Sequence, residues 1–467
     1  MAEGKTKVTH PRRALSTNPL KSSAPLGAAL AYLGIEGSVP LFHGSQGCTA
    51  FAMVHLVRHF KEAVPLQTTA MNEVSTILGG ADQIEEAIEN LRKKANPRFI
   101  GIASTALTET RGEDVPGDLK LMRTRRADFA DTAIVYASTP DFTGGLEDGW
   151  ARAVEAIIDT LVPESRPETG RTRERQVALL AGSHLTPAEV EELSRLIRAF
   201  GLNPIVLPNI STSLDGHVAE SWEGTSLGGT PLADIAALGR SAFTLVAGES
   251  MRPAAVMLEA RTGVPYRVYQ SLTGLKPTDA FIRTLMGLAG VSDAPPEIVR
   301  ERARLIDASL DAHFHTGGLK LAVAAEPDLM FALSDALASV GSEIVTAVST
   351  SPSAVLERVP TKEVVIGDLG DFERGAAASG AEILIAHAHG RHASQTLGLP
   401  LLRAGFPIFD RLGAQDICRV GYRGSRAFLY EVANIVQSRH HRPRPKDFGA
   451  APIEEEFEHA GPTPAPH

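Results

Sequence analysis

The stretch HGSQGCTAFAMVHLVRHF, residues 43–60, brings a cysteine to the start of an amphipathic helix. Glycines in the loop before the helix allow its backbone to approach other groups closely. Apolar residues then recur at the spacing of one helix face, and polar residues occupy another face. The apolar set is Met53, Leu56, Val57 and Phe60, and the polar set is His55, Arg58, His59 and Glu62. We therefore predict a helix that begins near Cys48 and buries the apolar set.

Cys48 lies near the N-terminus of this predicted helix. The positive end of a helix dipole favours a thiolate, which is the form of cysteine that binds metals. A single cysteine in a globular chain is nevertheless more often a small buried apolar residue than a ligand. The local pattern by itself leaves both interpretations open.

Outside this stretch, apolar strands alternate with amphipathic helices along the chain. Strands at 39–43 and 99–103 flank a predicted helix at 82–94, and two more strand–helix–strand units span 176–208 and 319–348. Such alternation is typical of parallel sheets that are covered by helices. The sequence therefore predicts an α/β fold.

The length of 467 residues favours about three domains. We predict three Rossmann-like αβα domains with mostly parallel sheets. In the third of them, Asp328 is expected to cap a helix that continues to Val340. The flanking segments are polar or proline-rich, so we expect a flexible N-terminus and a disordered tail. The predicted boundaries are 1–20 for the flexible N-terminus, 21–165 for the N-terminal domain with Cys48, 166–300 for the middle domain, 301–440 for the C-terminal domain and 441–467 for the tail.

Charge and composition exclude several classes of protein. A net charge of -9 and a pI near 5.9 argue against a nucleic-acid-binding protein, which would carry a basic surface. No apolar run approaches the roughly 18 residues that are needed to span a bilayer, so no membrane partner is expected. The chain has two cysteines, too few for a fold held together by disulfides. We predict a cytoplasmic protein.

Three histidines follow the predicted strand at 382–386, namely His387, His389 and His392. At the carboxyl end of a parallel strand they could bind a metal or an anion, or they could belong to a solvated loop. The sequence leaves their role open. Cys418 has no cysteine or histidine at ligand spacing, so we expect it to be a buried structural thiol.

Several short motifs between Lys21 and Ser438 resemble the nitrogenase β-subunit superfamily. The matching residues in the first part of the chain are Gly47-Cys48-Thr49, Arg58-His59-Phe60-Lys61-Glu62, Met71-Asn72-Glu73 with Gly79-Gly80, and Thr108-Glu109 with Gly112-Glu113-Asp114. Towards the C-terminus the matching residues are Leu399 to Arg411, which include Phe406-Pro407-Ile408-Phe409-Asp410-Arg411, and Gly421-Tyr422-Arg423-Gly424. The resemblance implies a nitrogenase β-subunit-like fold.

The departures from this superfamily are as informative as the matches. A catalytic nitrogenase β subunit carries three cysteines for its eight-iron P-cluster, and Cys48 corresponds to the first of them. Leu66 occupies the second position and Ala106 the third. Leucine and alanine cannot bind iron, so a complete P-cluster is not expected. Within the superfamily the chain therefore resembles the branch that takes part in the biosynthesis of the iron-molybdenum cofactor.

The number of available ligands leads to a prediction about partners. A cubane iron–sulfur cluster typically takes four cysteine ligands, and this region of the chain offers Cys48 alone. Most of the other ligands would then come from a second polypeptide, with the cluster at the interface. The resemblance implies the same arrangement, in which a homologous NifE-like subunit supplies three cysteines to a shared [4Fe-4S] cluster in an α2β2 heterotetramer. Cys48 is the metal and cofactor ligand that we predict.

The resemblance implies a scaffold subunit for nitrogen fixation, on which an iron–sulfur precursor matures into the iron-molybdenum cofactor. It further implies that the precursor sits mainly in the partner, that precursor donor proteins deliver it, and that the nitrogenase Fe protein docks on the complex. We predict no catalytic residue, because no side chains form a nucleophile with a general base. It stays open whether the chain acts as an enzyme.

Two alternatives to a scaffold remain at this stage. One is a catalytic β-type subunit of a nitrogenase-like reductase, either nitrogenase or light-independent protochlorophyllide reductase. The other is a small-molecule-binding protein without a cluster, in which Cys48 would be part of the core.

Overall fold

The computed structural model describes residues 5–11, 16, 18–73, 79–164, 173–218 and 223–440. Its strands form three sheets, and every pairing between strands is parallel. The predicted α/β class with parallel sheets is therefore confirmed. The boundaries between the three predicted domains stay a prediction.

The first two sheets have four strands each. The strands of the first sheet are β2 (Ser38–His43), β3 (Gln67–Thr68), β4 (Phe99–Ser104) and β5 (Ala133–Ala137), in the spatial order β3-β2-β4-β5. The strands of the second sheet are β6 (Arg173–Ala181), β7 (Asn203–Leu207), β8 (Ser241–Ala247) and β9 (Tyr266–Tyr269), in the order β7-β6-β8-β9. The central strands are buried because helices cover both of their faces.

The third sheet has six strands, one of which comes from the N-terminus of the chain. Its strands are β1 (Lys7–Thr9), β10 (Lys320–Ala325), β11 (Glu343–Ser349), β12 (Glu363–Ile366), β13 (Ile383–Ala386) and β14 (Leu401–Arg403), in the order β1-β12-β11-β10-β13-β14. The sequence predicts a flexible segment for residues 1–20, yet Lys7–Thr9 pairs with β12. Backbone hydrogen bonds hold this polar edge strand, and hydropathy does not reveal such bonds. Residues 441–467, the predicted tail, lie outside the described residues.

The helices cover these sheets on both sides. In chain order they are α1 (Ala24–Leu33), α2 (Gln46–Phe60), α3 (Ala81–Ala95), α4 (Ala106–Arg111), α5 (Val115–Arg125), α6 (Leu146–Leu161), α7 (Pro187–Ala199), α8 (Leu232–Ala236), α9 (Arg252–Thr262), α10 (Leu275–Ala289), α11 (Pro296–Thr316), α12 (Pro327–Ala338), α13 (Leu369–Ser379), α14 (Arg391–Leu397) and α15 (Gly421–His440). None of the helices in the described part of the chain has the length and apolar character required to cross a membrane.

Helices α1 and α6 cross at two glycines. A Cβ atom on Gly27 would lie 1.9 Å from the carbonyl oxygen of Leu146, and one on Gly149 would lie 1.8 Å from that of Ala24. All ten residues of α1 are buried. The two backbones can approach this closely only because Gly27 and Gly149 have no side chain.

A buried carboxylate joins the units that carry the three sheets. Asp328 Oδ1 accepts a hydrogen bond from the Glu249 backbone N–H, and Oδ2 accepts one from the Ser250 N–H, each at 3.0 Å. The backbone N–H of Asp328 donates to Glu147 Oε2 at 3.0 Å. Burial raises the pKa of Glu147 well above its usual value and that of Glu326 to about 7. The expectation that Asp328 caps its own helix is wrong, because the N-cap of α12 is Glu326 and the Asp328 carboxylate bonds to other segments.

Candidate metal-ligating site

Cys48 is exposed in the first turn of α2, the helix predicted from its sequence. Ser45 precedes this helix as its N-cap, and its Oγ lies 3.6 Å from Cys48 Sγ. The interpretation of Cys48 as a residue of the core is therefore wrong. An exposed thiol at the start of a helix is accessible to a metal ion and to a second polypeptide.

Hydrogen bonds hold the loop before Cys48 to two neighbouring segments. The carbonyl oxygen of His43 accepts hydrogen bonds from Thr105 Oγ1 at 3.0 Å and from Thr108 Oγ1 at 3.2 Å. The Gly44 N–H donates to Thr69 Oγ1 at 3.1 Å. A Cβ atom on Gly44 would lie 2.2 Å from Thr105 Oγ1, so the loop needs glycine at this position. These contacts fix the path of the backbone that leads to Cys48.

A buried histidine–carboxylate pair lies beneath the same loop. His43 Nε2 lies 2.7 Å from Glu113 Oε2, and His43 Nδ1 lies 3.1 Å from Thr69 Oγ1. Arg111 donates to the other oxygen of Glu113 at 3.0 Å. Burial lowers the pKa of His43, and the neighbouring Glu113 opposes this effect. Sequence analysis missed this pair, because residues 70 positions apart share no periodic pattern.

The surface that continues from Cys48 along α2 is apolar. The side chain of Phe51 is 75% exposed and that of Val54 is 50% exposed, and Val57 is also exposed. The sequence predicts Val57 on the buried face and His59 on the polar face, and both expectations are wrong. The helix is apolar on more than one side, and this could have been read from Phe51 and Val54. An exposed apolar patch of this kind is typical of an interaction surface.

The two other cysteine positions of the resemblance contain no ligand. Leu66 is buried just before β3, and Ala106 is the first residue of α4. Among the described residues, no group of three or more histidine, cysteine, aspartate or glutamate side chains could hold a metal ion. Any iron bound to Cys48 would therefore need ligands from outside this part of the chain.

The three histidines that follow β13 differ in their contacts. His387 Nε2 donates to the carbonyl oxygen of Leu20 at 3.0 Å, and its Nδ1 accepts the His389 backbone N–H at 3.2 Å. The His392 ring lies 3.1 Å from a carboxylate oxygen of Glu373 at the surface. The His387 and His389 rings pack against each other, with 5.1 Å between their centroids, but among the described residues no group of three or more potential ligands could hold a metal ion. Cys418 is a half-buried free thiol, and burial raises its pKa, in agreement with a structural role.

The far end of α2 is anchored to the loop after β14. His59 Nδ1 accepts the backbone N–H of Ile408 at 2.8 Å, and its ring packs against Phe406 at 4.8 Å between centroids. The Arg58 guanidinium lies 4.2 Å from the ring centre of Phe409. The stretch 406–411 is one of those that resemble the nitrogenase β-subunit superfamily. Its contacts position the helix that carries Cys48.

His59 is expected to make the protein less stable in mild acid. Burial lowers its pKa to about 3, so the folded state keeps it neutral while the unfolded chain binds a proton below about pH 6.5. Stability from His59 is present above pH 6.5 and is lost as the pH falls towards 3. The loss is about 2 kcal/mol at pH 5. Urea unfolding of the wild type and of His59→Gln between pH 7.5 and 5 measures it.

His59→Gln should make the pH dependence of the free energy of unfolding shallower than that of the wild type, because glutamine does not titrate. Equal slopes for the wild type and His59→Gln would contradict a buried neutral imidazole.

Comparisons with known proteins cover almost the whole chain. A family model described as "Nitrogenase component 1 type Oxidoreductase" matches residues 23–437. The nitrogenase iron-molybdenum cofactor biosynthesis protein NifN of Rhodobacter capsulatus is 67% identical over 98% of this chain and 99% of its own length. The protein of the same name from Klebsiella pneumoniae is 39% identical over 91% and 92%. A solved structure of nitrogenase Cp1 at pH 6.5 is 29% identical, with a TM-score of 0.87 over 94% of this chain and 98% of that chain.

Proposed function

Because the chain belongs to the nitrogenase component 1 type oxidoreductase family, as its sequence motifs indicated, we propose that it is a scaffold subunit for assembly of the iron-molybdenum cofactor of nitrogenase. The relatives described as nitrogenase iron-molybdenum cofactor biosynthesis protein NifN support the proposal, since they align over nearly the full length of the chain. The chain would form an α2β2 heterotetramer with a NifE-like subunit. An iron–sulfur precursor would mature mainly in that partner.

The observation that carries the proposal is the exposure of Cys48 together with the loss of the other two cysteine positions. One thiol fits one ligand position of a [4Fe-4S] cluster, and thiolates are the ligands that such clusters take. Leu66 and Ala106 supply none. A shared cluster at a subunit interface satisfies this count, whereas a complete P-cluster does not.

The residues around Cys48 suit an interface. Phe51 and Val54 expose apolar side chains next to the thiol, and their burial against a partner would exclude water from the cluster. The hydrogen-bonded loop at His43 and Gly44 holds Cys48 in place before the partner arrives. A bound [4Fe-4S] cluster supplies one-electron transfer. This role agrees with docking of the nitrogenase Fe protein on the complex.

The alternative is a catalytic β-type subunit of a nitrogenase-like reductase. The similarity in fold to nitrogenase Cp1 agrees with either function. Leu66 and Ala106 argue against nitrogenase itself, because a P-cluster would lack two of its ligands in this chain. A substrate-reduction assay of the purified complex separates a scaffold from a reductase.

Iron content tests the proposal directly. The chain should be expressed without oxygen, once alone and once with the NifE-like subunit of the same organism. We expect no bound iron in the chain alone, and about four irons per αβ pair from the shared cluster in the complex. Absorbance near 400 nm should appear with the complex only. A colourless and iron-free complex would contradict the shared cluster.

A further inference from the structure

A cleft between helices α7 and α15 concentrates positive charge. It encloses a cavity of about 620 Å³, which is within the usual size range of small-molecule sites. Two glutamates line the cleft, Glu191 and Glu192. The four arginines that line it are Arg195 and Arg198 of α7 and Arg423 and Arg426 of α15. These six charged side chains give the lining a net charge of +2, although the net charge of the whole chain is -9.

Helix periodicity explains why the arginines line the same space. Arg195 and Arg198 are three positions apart in α7, and residues at this spacing lie on one side of a helix. Arg423 and Arg426 have the same spacing in α15. The two helices are distant in sequence but lie next to each other in the fold. Each wall of the cleft therefore contributes two of the four cations, and the folded chain brings them together.

The chain neutralises only part of this charge with its own carboxylates. Arg195 donates to both carboxylate oxygens of Glu192 at 2.8 Å and to Glu301 at 2.8 Å. Arg423 lies 3.8 Å from Glu192, a long ion pair to a carboxylate that Arg195 already holds. The side chains of Arg198 and Arg426 form no ion pair and no hydrogen bond among the described residues. Two guanidinium groups are thus free for a ligand, and a third is weakly held.

A half-buried thiol lines the same cleft. Cys418 Sγ lies 2.9 Å from the position that a Cβ atom on Gly424 would take, so glycine leaves room for the thiol beside α15. Burial raises the pKa of Cys418, and the carboxylates of Glu189 and Glu192 raise it further. The thiol therefore stays neutral near pH 7 and does not repel an anion.

We propose that this cleft binds a small oxyanion that carries two or more negative charges. A guanidinium group presents paired N–H donors that match two oxygens of a phosphate or a carboxylate, and all four cations of the cleft are arginines. Among the described residues no aromatic side chain lines the cleft, so nothing there could stack on a nucleobase. The site goes beyond the proposed function and does not depend on the cluster, because its lining includes neither Cys48 nor any residue of α2.

Calorimetric titration of the purified complex with inorganic phosphate and with malonate tests the site. The titrations belong at low ionic strength, because salt screens exposed charges. The probe that binds more tightly shows whether the ligand is a phosphate or a dicarboxylate. Arg198→Gln and Arg426→Gln should each weaken the binding of that probe about tenfold, since each removes charged hydrogen bonds. Arg426→Lys keeps the charge but loses the paired donors, so it should weaken binding less than Arg426→Gln does.

Arg283→Gln is the matched control. It removes the same charge from an exposed arginine on helix α10, outside the cleft, and should leave the affinity for both probes at the wild-type value. Equal affinities of Arg283→Gln, Arg198→Gln and Arg426→Gln would overturn the proposal. A wild-type complex that binds neither probe with a Kd below about 1 mM would also overturn it.

Iron measured on the same samples separates this site from the proposed function. All of these arginine variants should keep the absorbance near 400 nm of the wild-type complex. An iron-free complex that binds one of the probes through Arg198 and Arg426 would contradict the shared cluster alone. A complex that contains the cluster but binds neither probe would contradict the oxyanion site alone.

Discussion

Replacing Cys48 with alanine is expected to remove about four irons per αβ pair and the absorbance near 400 nm from the complex. Three cysteines on the partner would leave one corner of the cubane without its thiolate. The exposed position of Cys48 means that alanine leaves no cavity in the core, so the chain itself should remain folded. Iron analysis and absorbance of the anaerobically purified complex measure the loss.

Cys418→Ala is the matched control for this experiment. It removes the other cysteine, which is half-buried and whose thiol makes, among the described residues, a single long hydrogen bond of 3.8 Å to the Val420 carbonyl oxygen. We expect the iron content to stay at the wild-type value. The αβ contact should weaken with Cys48→Ala and not with Cys418→Ala. Full retention of iron by the Cys48→Ala complex would show that this thiol is not a ligand.

Gly149→Ala is expected to destabilise the chain by about 3 kcal/mol, at the upper end of the usual cost of overpacking. The added methyl group would lie 1.8 Å from the Ala24 carbonyl oxygen, so α1 and α6 would have to separate. The neighbour is backbone within a fully buried helix and cannot rotate away. Urea unfolding monitored by circular dichroism measures the change in the free energy of unfolding.

Gly287→Ala makes the same chemical change where space is available. Apart from the adjacent residues and the backbone of α10 itself, no described atom lies within 4 Å of the position that its Cβ would take. Alanine favours helix over glycine by about 1 kcal/mol, so this variant should be slightly more stable than the wild type. We therefore expect the free energy of unfolding to fall with Gly149→Ala and to rise slightly with Gly287→Ala. Equal effects would mean that the contact of α1 with α6 is not the cause.

The layered fold could be predicted from local patterns. Alternating apolar strands and amphipathic helices predict parallel sheets, and three such sheets are present. The polar strand Lys7–Thr9 could not be predicted, because its only signal is the hydrogen bonding to a strand more than 350 residues away. The same limit applies to His43 and Glu113, which meet only after β2 and the connection between α4 and α5 have taken their places.

The sequence by itself determined how many thiols the chain can offer to iron, because composition does not depend on folding. With leucine at position 66 and alanine at 106, Cys48 stands without the two ligands that accompany it in a catalytic subunit. The helix that starts beside it also follows from local periodicity. These properties need no knowledge of the rest of the chain.

The tertiary structure alone decided which side of each helix is buried. Periodicity defines the faces of α2, but His59 is buried because Ile408 and Phe406 pack on it, and Val57 is exposed because no described residue covers it. Asp328 likewise bonds to Glu249 and Ser250 instead of capping α12. The free energy of burying a side chain depends on neighbours that are distant in sequence, and local patterns contain no information about them.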